Sequence, residues 1–476
     1  MSHPCRGKNA DYSATDLLRG YATREFSPVD VFEAVVARVT SVDPVLNALV
    51  LMDPDRGRAA ARASEARWLS GNPVGAIDGV PVTVKDQSLT QGWPTRRGSL
   101  TVKADGPWNE DAPVVGRLKE SGGILFGKTT TPEFGWKSVT DSPLSGTSRN
   151  PWDPNLTCGG SSGGAAIAAA AGMGALHQGS DAGGSVRIPA ALCGVYGLKP
   201  TFGRVPMYPQ GLGSMAQLGH YGPITRTVSD AALMLDVISR PDARDWLAVD
   251  HDSRSYVDRL DRGVEGLRIA YSETLGYAHV DAEVASTVAQ AVKRFEQLGA
   301  VVEEVSPPID DPLACFLTFY EASLACSLVG ISEVDLEMCD PGLRKIAEKG
   351  RGVTAAQLLA AWQTRERLAR TMSEFHQKFD LLITPQLSVT AFEAGPLYPS
   401  HLKSMWDWIA FCFPFNLTHQ PAAAMPCGFS DQGLPIALQI VGPKYADSLV
   451  LQASRAFEKL QPIVVPNAIN LPRSQP

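Results

Sequence analysis

Cys158-Gly159-Gly160-Ser161-Ser162-Gly163-Gly164 runs directly into a stretch of small residues, Ala165–Ala171. It is followed by Gly179-Ser180-Asp181-Ala182-Gly183-Gly184-Ser185-Val186-Arg187. The small-residue stretch predicts a helix that packs very closely. Ala175–Gly179 predicts a strand, and Val186–Leu192 a short helix. Ser161 therefore opens one helix, and Ser185 stands where a strand gives way to another. Upstream, Gly79-Val80-Pro81-Val82-Thr83-Val84-Lys85-Asp86 reads as a short buried strand, Val80–Val84, closed by Lys85.

Working outward, helices alternate with short strands. Val114–Glu120 is helical and Ile124–Phe126 a strand. Leu267–Tyr271, Asp281–Leu298 and Ala300–Val305 read as strand, helix and strand. Leu381–Ile383 is a strand stopped by Pro385, and Ala423–Cys427 with Ile436–Val441 form a hairpin. Helices are expected as a pair over Ala14–Thr40, the second opening at Ser27-Pro28, and over Ala59–Leu69, Thr354–Phe379 and Tyr445–Leu460. This alternation implies an α/β layer architecture.

The chain has 476 residues, 44% of them hydrophobic, and a net charge of −7. A sizeable core is available, and large α/β enzymes of this length run as one unit. No repeat, linker or domain boundary stands out. The absence of a Lys/Arg-rich block argues against a nucleic-acid partner. Eight cysteines without a Cys-x-x-Cys pair point to reduced thiols rather than zinc or disulfides. Met1–Lys8 is not followed by an apolar signal-peptide core, and Ala165–Ala171 is far below the roughly 20 residues of a membrane span. The expectation is a cytoplasmic, soluble protein.

A serine hydroxyl is a poor nucleophile until a base takes its proton. The histidines sit mostly in segments with no glycine turn or partner carboxylate, and His177 is the nearest to Ser185 in sequence. Lysine serves as a base only when neutral, which burial favours. Lys85, at the end of a buried strand beside Val82 and Val84, suits that role; the competing reading pairs it with Asp86. Gly183 and Gly184 permit a sharp turn in which the N–H groups of Ala182, Gly183, Gly184 and Ser185 converge as an oxyanion hole. The competing reading of Ser185 is a helix cap, and that of Gly159–Gly164 a flexible loop or anion nest.

Taken together, Gly159–Gly164, Asp181–Thr201 and Gly79–Asp86 closely resemble the motifs of the amidase signature family. Phe415-Asn416 with Pro421–Pro426, and Gly433–Gly442, resemble its C-terminal signature, so the likeness spans roughly residues 14 to 460. The resemblance implies one large α/β domain, a mixed central β-sheet covered by helices on both faces. Its N-terminal helical segment is about 1–70, its catalytic core about 71–240 and its C-terminal part about 241–476. It implies a Ser–Ser–Lys triad: Ser185 as acyl-forming nucleophile, Lys85 as terminal base, and Ser161 as bridging serine behind a cis Gly160–Ser161 bond. Asp181 and Arg187 become a structural ion pair under the oxyanion loop. Ser162 hydrogen-bonds nearby backbone or the lysine. The loop with Phe134, Gly135 and Trp136 lines the acyl pocket and favours an apolar or aromatic acyl group; the competing reading makes Phe134 and Trp136 packing residues. Loops over Leu144–Thr157 and Asp311–Gln363 are expected to shape it further. Ser180 stands where the family usually has Thr, and Ala165 where Ser is common.

The implied activity is hydrolysis of amide C–N bonds in a small-molecule substrate, extending to esters and carbamates, with no cofactor or metal. A homodimer stays open, since family members often pair. One alternative is the glutaminase subunit of the tRNA-dependent amidotransferase, which shares the triad; Met207-Tyr208-Pro209-Gln210 looks more like the stand-alone enzymes. Another is a binding protein with a dead site. Gly122-x-x-x-x-Gly127-Lys128-Thr129 also fits a P-loop letter for letter. There, however, the expected strand lies inside the loop, where its N–H groups cannot cradle phosphate.

Overall fold

Eleven strands assemble into one sheet in this computed structural model, which describes residues 9–209 and 217–466. Met1–Lys8, Cys5 among them, and Gln210 of the Met207–Gln210 run lie outside the described residues. The N-terminal helices are Ala14–Thr23 and Pro28–Leu46. The second opens with a capping box, in which Asp30 N donates to Ser27 Oγ and Ser27 N to Asp30 Oδ2.

In chain order the strands are β1 (Leu49–Met52), β2 (Pro81–Lys85) and β3 (Ile124–Thr129), then a small separate hairpin of β4 (Asp141–Ser142) and β5 (Gly146–Thr147). They continue with β6 (Leu176–Asp181), β7 (Tyr196–Lys199), β8 (His220–Thr225), β9 (Arg268–Tyr271) and β10 (Val301–Glu304). The last three are β11 (Leu381–Pro385), β12 (Ala422–Phe429) and β13 (Pro435–Val441). Across the main sheet the order is β1-β3-β2-β6-β8-β7-β12-β13-β11-β9-β10. β3, β2 and β6 form a parallel block, as do β11, β9 and β10, and antiparallel pairs join the two.

Both faces are covered, and side-chain alternation along the strands shows it. Leu125 packs into a core with Val82, Val84, Phe295 and Phe457. Its neighbours Ile124 and Phe126 point the other way, into a core with Phe32, Ile188 and the helix Gly163–Ala170. A third, aromatic cluster holds Trp136, Phe316, Phe319, Tyr320 and Phe413. It rests on helices Leu313–Ser327, Pro341–Arg351 and Ala355–Phe375. Much of Asp311–Gln363, expected as loop, is therefore helical.

The sequence reading missed the short β4–β5 hairpin and, in the main sheet, β1, β7 and β8. The last contains Gly222-Pro223, a pair that normally argues against a central strand. Here tertiary pairing overrides propensity: Pro223 lies opposite Gln178, and a Cβ on Gly222 would stand 1.9 Å from Leu198 O. Only glycine lets β7 and β8 close.

Candidate active site

In parallel sheets, sites form outside the carboxyl ends of the strands, because the loops that follow them gather there. β2 ends at Lys85 and β6 ends at Ser180-Asp181. The two are parallel neighbours, with Val84 opposite Gln178. The loop after β3 carries Phe134 and Gly135. The buried helix Gly163–Ala170 packs on the sheet with its N-terminus at this same edge, beside Ser161 and Ser162. Its small side chains permit that approach. A Cβ on Gly164 would lie 2.3 Å from Ala48 O and 2.5 Å from Thr130 N.

Of the three residues singled out from the sequence, Lys85 and Ser161 meet side chain to side chain, and a backbone bond brings the turn that carries Ser185 alongside. Lys85 Nζ lies within hydrogen-bond distance of three hydroxyls: 2.7 Å from Ser161 Oγ, 3.0 Å from Ser162 Oγ and 3.0 Å from Ser180 Oγ. Ser162 N donates to Ser185 O at 3.0 Å, tying the Ser185 turn to the Ser161 turn. The Gly160–Ser161 peptide is cis. Lys85 is fully buried, and burial pushes its amine well below the usual lysine range, while Asp181 pulls weakly the other way. Lys85 is not spent on Asp86, which pairs instead with Lys128 at 3.0 Å.

Asp181 and Arg187 form the expected ion pair, Nε to Oδ2 and Nη2 to Oδ1, each 2.9 Å. All five guanidinium donors are used, because Nη1 also donates to Gln439 Oε1 and Cys412 O, and Nη2 to Asn416 Oδ1. Burial alone would raise the Asp181 carboxyl, but Arg187 overrides it and holds the carboxyl well below the usual range. The carboxylate also accepts from Val186 N and, at 2.8 Å, from Gly184 N. This corrects one expectation. The Gly184 N–H is turned into Asp181 rather than toward an oxyanion, so of the four N–H groups expected to converge, Ala182, Gly183 and Ser185 remain candidates.

Over the site, Gly135 has φ +73°, and a Cβ there would stand 3.2 Å from Ser161 Oγ. Phe134, half-buried, adopts φ 51°, a left-handed backbone that costs a non-glycine residue on the order of 1 kcal/mol. Trp136, also expected at the acyl pocket, is buried in the aromatic cluster with Phe316 and Phe413 and packs against Gly342.

The competing candidates are placed elsewhere. His177 Nδ1 lies 2.8 Å from Thr83 Oγ1, and burial pushes its ring down to about 3, so it is a neutral core histidine. The Gly127-Lys128-Thr129 run lies within β3, and Lys128 Nζ donates to Pro94 O and Thr95 Oγ1. Among the described residues no group of His, Cys, Asp and Glu is placed to hold a metal ion, and no helix is long and apolar enough to cross a membrane.

Sequence reading missed three contributors. Ser180 stood out only as a departure from the family pattern. Asn416 appeared within a signature but without a role; its Nδ2 donates to Asp181 Oδ1 at 2.9 Å. Gln87, directly after Lys85-Asp86, carried no signal beyond being a polar residue past a strand end.

Fold and site together define a hydrolase of amide C–N bonds. The family model described as amidase matches residues 30–451, and the chain belongs to the amidase family. It is 37% identical to an acylamidase of Rhodococcus erythropolis, over 94% of this chain and 95% of that protein. It is 36% identical to a glutamyl-tRNA(Gln) amidotransferase subunit of Myxococcus xanthus (strain DK1622), over 94% and 97%. Among solved structures, a bacterial aryl acylamidase of the amidase signature family superposes with a TM-score of 0.90 at 30% identity, covering 98% of this chain and 99% of that one.

Proposed function

We propose that Ser185 is the nucleophile of a Ser185–Ser161–Lys85 triad working through an acyl-enzyme. Ser185 Oγ attacks the amide carbonyl carbon. Its proton passes to Ser161, whose own proton passes to neutral Lys85. The N–H groups of Ala182, Gly183 and Ser185 stabilise the tetrahedral oxyanion. As the C–N bond breaks, the proton returns from Lys85 through Ser161 to the leaving amine. Water then repeats the sequence on the acyl ester and frees Ser185. Esters and carbamates pass through the same type of intermediate and are substrates on this reading.

The observation that carries the proposal is the buried Lys85 amine 2.7 Å from Ser161 Oγ. Burial alone would leave the lysine inert, but next to a hydroxyl it makes a base. The test is intact-mass detection of an acyl adduct on Ser185 with a slow amide or carbamate, together with a Lys85→Met variant. The adduct should appear in the wild type and not in Ser185→Ala. Wild-type turnover in Lys85→Met would overturn the mechanism.

For the acyl group, the aromatic cluster beside the oxyanion loop supports aryl or bulky apolar substrates. Phe316 reaches that loop, since a Cβ on Gly183 would stand 2.8 Å from its ring. The similarity to a bacterial aryl acylamidase points the same way. The glutaminase-subunit reading is favoured by the Myxococcus relative, nearly as similar as the acylamidase. A panel of aryl amides, aliphatic amides, aryl carbamates and glutamine separates the two. Turnover of aryl amides by the isolated chain supports the stand-alone enzyme. Ammonia release from glutamine alone, and only with added partner subunits, supports the other.

A further inference from the structure

Three hydroxyls crowd the Lys85 amine, and they are not equivalent. A neutral amine has two N–H donors and one lone pair, so only one hydroxyl can donate to it. Ser162 is otherwise engaged: its hydroxyl donates to Ser180 O at 3.1 Å, and its oxygen accepts from Ser180 N at 3.1 Å. Ser180 is engaged too, because its hydroxyl donates to Gln87 Oε1 at 3.0 Å. An amide oxygen has no proton to give, so the direction of that bond is set. Ser162 and Ser180 therefore accept the two amine N–H groups, and Ser161 alone faces the lone pair.

Gln87 is held in place from both ends. Its Nε2 faces Thr131 Oγ1 at 3.4 Å. Gly135 closes over it, since a Cβ there would lie 2.4 Å from Nε2 and 3.2 Å from Ser161 Oγ. The side chain is half-buried and lies between the loop after β3 and the end of β6.

Resting on the triad reading above, we propose that Gln87 is a positioning residue that reserves the Lys85 lone pair for Ser161. It does so by accepting the Ser180 hydroxyl. Without the Gln87 oxygen, the Ser180 hydroxyl turns to Nζ and competes with Ser161 for the base. Gln87 acts through Ser180 and Lys85, so its effect belongs to the proton-transfer step and not to substrate binding.

The experiment is a double-mutant cycle. kcat and KM for a nitroanilide amide are measured for the wild type, Gln87→Met, Ser180→Ala and the double variant. Rates are normalised to sites titrated by the acyl adduct, so partial misfolding does not enter. Gln87→Met should lower kcat about tenfold, the scale of one net hydrogen bond, with KM unchanged. In the Ser180→Ala background there is no competing hydroxyl, and the same substitution should cause no further loss. Wild-type kcat in Gln87→Met overturns the proposal, as does an equal loss in both backgrounds, which would mark a merely structural role. Ser161→Ala serves as control: wild-type kcat there sinks the underlying triad, an outcome distinct from a failure at Gln87 alone.

Discussion

Replacing Arg187 by Met should destabilise the protein severely, and the network around it sets the scale. Arg187 and Asp181 are both fully buried, and all five guanidinium donors are satisfied. Methionine fills much of the volume but leaves Asp181 without its cation. It also strips Gln439 Oε1 and Cys412 O of a donor. Breaking a buried pair from one side costs about 3–5 kcal/mol, a large part of the roughly 5–15 kcal/mol that holds most native proteins folded.

The sign with pH follows from the carboxylate. In the wild type the Asp181 carboxyl is depressed. Its stabilisation is therefore present above the unfolded carboxylate pKa and lost as pH falls through the lower folded value. In Arg187→Met the buried carboxyl is raised instead. The deficit is then greatest at pH 8 and shrinks as the folded state takes up a proton on the way to about pH 5. Urea denaturation followed by tryptophan fluorescence at both pH values measures this. Asp181→Asn on top of Arg187→Met removes the unpaired charge and should recover part of the loss. A deficit below about 1 kcal/mol, the range of an exposed pair, or a double variant no better than Arg187→Met, would refute the reasoning. Activity should fall as well, because Asp181 holds the Gly184 N–H in the loop that carries Ser185.

Other outcomes are expected. kcat/KM should rise with pH through a pKa below the ordinary lysine range, since only the neutral Lys85 amine accepts a proton and burial favours that form; a falling profile over that range would contradict the base assignment. Ser161→Ala should slow acyl-adduct formation by about 10²- to 10⁴-fold, the usual contribution of a general base, while Ser185→Ala should abolish the adduct on that residue. Gly164→Ala should lower the thermal midpoint, at a cost of about 1–3 kcal/mol, because the added methyl meets the backbone of Ala48 and Thr130. Gly135→Ala should cut kcat, because the methyl meets Gln87 Nε2 and crowds Ser161 Oγ, and should also cost about 1–2 kcal/mol for placing a side chain at φ +73°; paired activity and melting measurements register both.

Much of the site was legible along the chain because its geometry is built from local turns. The glycine collars at 159–164 and 183–184 mark close approaches, and the valine run ending at Lys85 marks a buried strand end. These patterns survive in one dimension, since each is made by residues adjacent in sequence. The helices and strands with clear periodicity were likewise readable to within a few residues, among them Ala282–Gln297, Arg268–Tyr271 and the hairpin of β12 and β13.

What only the tertiary structure decided are relations between distant residues. β8 is a strand because β6 and β7 pair with it, despite Gly222-Pro223. Asp86 could have held Lys85 in its charged form, but β3 brings up Lys128 to pair with it and leaves the Lys85 amine to the hydroxyls. Whether a glycine N–H faces an oxyanion or a carboxylate cannot be told from Asp181-Ala182-Gly183-Gly184, because it depends on where Arg187 and Asn416 anchor that carboxylate. Sequence specifies which groups are present and how the chain can turn beside them. The protonation state and hydrogen-bond direction of each group follow from burial and from partners that only the folded sheet brings within 3 Å.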